Sequence, residues 1–391
     1  ALVAAAILVT GVVAAEPSPL RVGEWDLEQR AVFAVAAAQL SADVHFVYMA
    51  GSRLLHARSS DGGSTWSIPQ IVAAGSTPEL AVDRQGMAHL VYEAAGTSRI
   101  EYRSFDRGAW SPAIDLSASV PGKPAQMLVP RIAVDGADHV HVVYWTLWKD
   151  QEWKPGSRTA YWRKPAGAAR FEPPILWSHS RQGGNARYAT PVVDPSGNLH
   201  VFYATNHHNS HAVERRVRRR DGGWGVHDLW SGHLLTDWCI GAAVTTGGVV
   251  HLTVQSKLND GLHVFHASTR ADPATRTLEH DFGPENYETF TQLLGDPSGD
   301  LWLATGHLED PDEAARSRAP VRPNIGMWAR YSSATGIWSE RAPVSPPGAI
   351  NLDARRGNHP RLVLVNGKVH IFYAEKQPGE KWRHWQRRLG P

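Results

Sequence analysis

Cysteine is almost missing from this chain: Cys239 is the only one in 391 residues, which excludes an intrachain disulfide. A lone thiol usually behaves as a small buried hydrophobe, so thiol catalysis is not expected either. Net charge is equally scarce, at +2, and no broad electrostatic field marks a nucleic-acid partner. The one concentration of charge, Arg215, Arg216, Arg218, Arg219 and Arg220, is explained more simply by a solvated outer strand than by polyanion binding. Long amphipathic helical stripes are lacking too, which argues against a helical or doubly wound domain. Only one long apolar run is present, Ala1 to Val13, and it is too short to cross a bilayer. Val13 and Ala15, just before Glu16-Pro17-Ser18-Pro19, have the small side chains of a signal-peptidase site. Residues 1–15 are therefore expected to be the end of a signal peptide, and 16–391 an exported domain, secreted or periplasmic and free of the membrane after cleavage.

What the chain does contain is Gly 35, Pro 26 and Trp 16, a composition suited to many short strands and tight turns. One phrase recurs: a Gly or Asp turn, an apolar residue, His, then alternating apolar residues, as in ADVHFVY, DHVHVVY and GKVHIFY. Its anchors are His45, His89, His141, His200, His251, Trp302 and His370, spaced by about the length of a four-stranded propeller blade. An apolar strand precedes most anchors, and a third strand and an aromatic such as Trp66, Trp110, Trp224 or Trp338 follow. The expected fold is all-β: a seven-bladed β-propeller. After the third strand of the last repeat the chain ends at Pro391, so Leu20 to Leu27 is expected to add the missing outer strand and close the ring. A catalytic residue is not repeated in every blade, so the six anchor histidines are expected to be structural, buried and hydrogen-bonded between neighbouring blades.

Ser59 to Trp66, SSDGGSTW, matches the Asp box in full, with the Asp pinning its own turn and the Trp packing between strands. Looser copies run from Ser104 to Trp110 and from Arg220 to Trp224. On these motifs the chain resembles the sialidase-like, BNR-repeat propellers from about Leu20 onward. In that family the box is structural, so the resemblance implies fold and not catalysis.

Function is expected where the irregular loops lie. About ten residues before each anchor, at the mouth of an axial channel, stand Val35, Glu79, Arg131, Thr190, Gly241, Gln292 and Arg361. Two readings of the charged three stand side by side: an internal network of Glu79 with the arginines, or a site for a carboxylate. Trp145, Trp148 and Trp153 offer stacking surfaces for sugar rings or rim packing. Asn206, His207, His208 and His211 break the repeat; adjacent histidines on an extended segment point opposite ways, so no metal site is expected.

In RYATPVVDPSGNLHVFYATNHHN the fourth repeat resembles BNR-type polysaccharide lyases such as ulvan lyases. Their second functional His falls on His208, and their first falls on Tyr188, where this chain departs from the pattern. The resemblance implies β-elimination on a uronic-acid polysaccharide without a cofactor. Arg131 and Arg361 would neutralise the carboxylate, His208 would serve as base and Tyr188 as acid, with Glu79, Asn206, His207 and Trp145 around the sugar. A sialidase-like hydrolase and a non-enzymatic glycan- or protein-binding propeller are the alternatives. The hydrolase is disfavoured because an Arg-Ile-Pro motif near the start and a third arginine at an inner-strand mouth are missing. The expected partner is an acidic glycan and the expected state a monomer.

Overall fold

The computed structural model describes residues 19–23, 32–38, 41–120, 126–148, 156–177, 185–207, 210–231, 241–245, 247–258, 261–268, 279–285, 291–307, 325–345, 360–376 and 380–390. The signal-peptide expectation therefore lies outside the described residues. Among them the secondary structure is β-strand apart from one 3-10 turn, Ser117–Ser119.

The strands form open antiparallel sheets in simple meander order. One sheet contains Gln126–Val134, Val140–Trp148, Gly156–Lys164 and Ile175–Trp177; the next contains Asn185–Val193, Leu199–His207, Ser210–Arg218 and Trp224–Ser231. The long strand Gln70–Val82 serves twice. Its first half pairs as an outer strand with Arg53–Ser59, and its second half pairs as an inner strand with Ala88–Ala94. Leu20–Arg21 pairs with Arg383–Arg388 through Leu20 opposite Gln386 and Arg21 opposite Trp385. Of the segment expected to add this outer strand, residues 24–27 lie outside the described set.

Alternation on these strands leaves both sheet faces apolar, and successive sheets cover one another. Val143, Tyr161 and Trp177 of one sheet pack on Leu199, Val201 and Tyr203 of the next. Phe33, Phe46 and Tyr48 of the first pack on Val363, Phe372 and Trp382 of the last. Within that core sits His384, 1% exposed, with neither ring nitrogen hydrogen-bonded and its ring about 5 Å from those of Phe33 and Phe46.

The recurring phrase has a local cause. Asp83 Oδ1 accepts the backbone N–H groups of Gln85 and Met87, closing the turn, while Oδ2 meets His89 Nε2 at 3.3 Å. Asp135 does the same with His141, Asp194 closes its turn on Asn198 and meets His200, and Asp296 accepts from Trp302 Nε1 at 2.9 Å. Burial alone would raise the Asp135 carboxyl, but the hydrogen bonds from His141 and the turn hold it down at about 2. The other ring nitrogen of His89 or His141 reaches Tyr102 or Tyr161 on the adjacent strand; His45 and His251 reach a second histidine there, His56 and His266. These bonds run within one sheet and not between neighbouring sheets as expected. The reason is geometric: a diagonal cross-strand neighbour lies within reach of a ring, whereas the facing sheet presents apolar side chains. Five of the six anchor histidines are buried, and His370 is half-buried.

Ser59 to Trp66 forms a turn tied by its own side chains. Asp61 accepts from Thr65 N at 2.9 Å, Thr65 Oγ1 at 2.6 Å and Ser59 Oγ at 2.7 Å, which holds its carboxyl at about 2. Trp66 donates to Gly63 O and meets Phe46 and Phe372 edge-on. Gly63, at φ +95°, lies against the buried Gln386 amide, which a Cβ would overlap. Gly63→Ala is therefore expected to lower stability by about 2 to 4 kcal/mol through left-handed strain plus overpacking. A urea melt measures this, and adding Gln386→Ala should recover part of the loss; an unchanged midpoint in Gly63→Ala would show that this turn does not bear on the last sheet.

Candidate functional site at the inner-strand mouth

All seven positions expected at the channel mouth line one cavity of about 210 Å³: Val35, Glu79, Arg131, Thr190, Gly241, Gln292 and Arg361. Their strands are held in place around it by side chains. Gln292 accepts Leu362 N–H at 2.8 Å and donates to Leu362 O at 3.0 Å, so it pairs with the next inner strand as a backbone amide would. Thr253 and Thr291 share a hydrogen bond of 2.7 Å beside Gly241, where a Cβ would strike both hydroxyls.

Three of the inner strands are bulged just before the mouth. Pairing shifts between Ser76 and Glu79, between Leu128 and Arg131, and between Arg187 and Thr190. Thr77 and Val129, inside the first two bulges, both have φ +52°, a conformation that β-branched residues rarely adopt. Bulges of this kind re-aim the residues that follow them and concentrate beside functional sites.

The charged residues converge. Glu79 accepts from Arg361 Nη2 at 2.7 Å and Nη1 at 3.3 Å, and from Arg131 Nη1. The side chains of Glu79, Arg131 and Arg361 are 13%, 17% and 9% exposed, so water screens the cluster little. Burial lowers the Arg361 guanidinium; Glu79 opposes that shift and Arg131 adds to it. An arginine still keeps its proton, so Arg131 and Arg361 both present positive charge to Glu79.

Trp145, half-buried, stands opposite Leu128 at the start of the bulge, near the mouth. Tyr188 lies within the third bulge by its backbone, and Asn206 and His207 end the paired strand, opposite Asn185 and toward Ser210. The side chains of Tyr188, Asn206 and His207, and the whole of His208, lie outside the described set, as do Trp148's side chain and Trp153. No group of three or more metal-ligating side chains occurs among the described residues.

One residue escaped the sequence reading. Glu93 accepts Val129 N–H at 2.9 Å and Ser76 Oγ at 3.4 Å, joining the bulges of two successive inner strands. Its signal was its place: Glu93 follows Tyr92 as Trp145 follows Tyr144 in the next repeat.

No protein-family model and no curated protein matches the sequence. Among solved structures the chain is similar to a polysaccharide lyase, at 9% identity and a TM-score of 0.58, over 91% of this chain and 90% of that one. It is also similar to a Hadza microbial sialidase, at 14% identity and a TM-score of 0.54, over 90% of this chain and 74% of that one. A third similar structure is hydrazine synthase of Kuenenia stuttgartiensis, at 13% identity and a TM-score of 0.51, over 91% and 95%. Together with the meander sheets, these likenesses show a sialidase-like propeller fold. At such identities they bear on fold alone. No helix among the described residues is long and apolar enough to cross a membrane.

Proposed function

We propose that this protein is an exported, monomeric, seven-bladed propeller that cleaves a uronic-acid polysaccharide by β-elimination at the inner-strand mouth. The observation carrying the reading is the charge there: the buried Arg361 guanidinium and the half-buried Arg131 guanidinium meet the Glu79 carboxylate at a cavity that Thr190, Thr291 and Gln292 line among apolar side chains. Removing the C5 proton of a uronate requires its carboxylate to be neutralised, and preorganised positive charge in a poorly hydrated site does this. In the proposed mechanism Arg131 and Arg361 take the carboxylate, His208 removes the proton, and Tyr188 protonates the departing oxygen. Thr190 lines the cavity two residues beyond Tyr188, and a polysaccharide lyase is among the similar structures; both support the assignment. The Asp-box turn at Asp61, the pairing of Leu20 with Gln386 and the packing of the first sheet on the last support a closed seven-blade ring.

A second reading, a propeller that binds acidic glycan without cleaving it, is favoured by the way Glu79 engages both arginines. The two separate on incubation with a panel of uronic-acid polysaccharides, following the ultraviolet absorbance of the unsaturated product. The lyase reading expects product with at least one polymer, and a roughly 100-fold or greater loss in His208→Ala and in Tyr188→Phe. Activity surviving both changes would remove these residues from the mechanism. Binding without product would leave the glycan-binding propeller.

A further inference from the structure

A second cavity, of about 300 Å³, opens where the first and last sheets meet, and the proposed mechanism makes no use of it. On its walls are Asn366, Lys368, His370 and Arg388 of the last sheet, and Asp61 and Gly62 from the tied turn of the first. Lys368 and Arg388 are exposed, and neither has an ion-pair partner among the described residues. Asp61 is the one acid on these walls, and both its oxygens are engaged by Thr65 and Ser59 within its own turn.

The Gln386 amide orders this wall. Its Nε2 donates to Gly62 O at 2.8 Å and to His370 Nδ1 at 2.7 Å. Because Nδ1 must accept, His370 carries its proton on Nε2, and that N–H is the hydrogen bond the ring has left to offer. Burial, with Arg388 and Lys368 close by, holds the imidazole at about 4, so near neutrality it is an uncharged donor between two cations. Two cations and a fixed neutral donor, facing a carboxylate already saturated, form a set suited to a compact anion with several acceptor oxygens.

We infer that this cleft binds a tetrahedral oxyanion, the sulfate or phosphate group of an ester, with Lys368 and Arg388 supplying charge and His370 a directed N–H. A ligand held there would touch both the first and the last sheet. The test is calorimetric titration of the full chain with sodium sulfate and, separately, sodium phosphate, with chloride keeping ionic strength constant. Saturable one-site binding of at least one anion is expected, weakened at least tenfold in Lys368→Ala/Arg388→Ala. Both side chains are exposed, so folding should not suffer; Asn366→Asp, which adds a negative charge to the same wall, gives an independent loss. Repeating the titration with glucose 6-sulfate and glucose 6-phosphate distinguishes the two esters. No saturable heat with either inorganic anion, or an affinity unchanged in the double variant, would overturn the inference.

Discussion

Glu79→Ala is expected to cost about 3 to 5 kcal/mol of stability, because it removes the carboxylate that the buried Arg361 guanidinium and the half-buried Arg131 guanidinium both engage. The magnitude follows from burial: the three side chains are 9% to 17% exposed, far from the exposed pairs whose removal often changes little. Arg361→Ala should cost more than Arg131→Ala, since Arg361 is the more buried and donates through both terminal nitrogens. Urea denaturation of the three variants measures the order. A loss below about 1 kcal/mol for Glu79→Ala would mean that the arginines find water in the cavity, and that the cluster is not an internal network.

Acid is expected to unfold the protein at a pH where most globular chains are still stable. Burial first, then nearby cations or a neighbouring histidine, holds His45 and His370 at about 4 and His56 and His266 at about 3. His384 lies at about 3 through burial alone. All stand below the ordinary 6.5 of an unfolded histidine, so between pH 6.5 and about 4 the unfolded chain binds more protons than the folded one. Stability therefore rises with pH in that window and falls on acidification, by about 1.4 kcal/mol per pH unit for each such histidine. Three of them across two pH units remove roughly 8 kcal/mol, within the range of a whole domain's stability. The depressed carboxylates, Asp61 and Asp135 at about 2, act in the other window, losing their contribution only below the ordinary carboxylate range. Melting temperatures across pH 4 to 8 test this. His384→Phe should reduce the steepness of the acid limb; a flat profile down to pH 4 would show that the buried histidines take up protons without unfolding the sheets.

The repeat phrase was legible because its cause is local. Asp135 closes a turn and meets His141 six residues on, and a contact spanning so little chain prints the same spacing in four of the seven repeats. Counting back from the anchors found seven of the residues that line the mouth for the same reason. The pairing among them was not legible: Glu79 and Arg361 are 282 residues apart, and nothing local in the sequence ties one to the other. Nor were the bulges visible. A register shift moves later residues to the opposite face without altering composition, so alternation read through Ser76 to Glu79 is out of phase with the pairing. Glu93 was lost in that same step.

The positive φ of Thr77 and Val129 means that the rim of the cavity is held in a shape its own residues disfavour, by roughly 1 to 2 kcal/mol at each. Selection for heat tolerance alone would replace both with glycine. That β-branched residues stand there instead ties the shape of the rim to its charges: a relaxed backbone would turn Glu79 and Arg131 away from one another, and the charge arrangement would go with it.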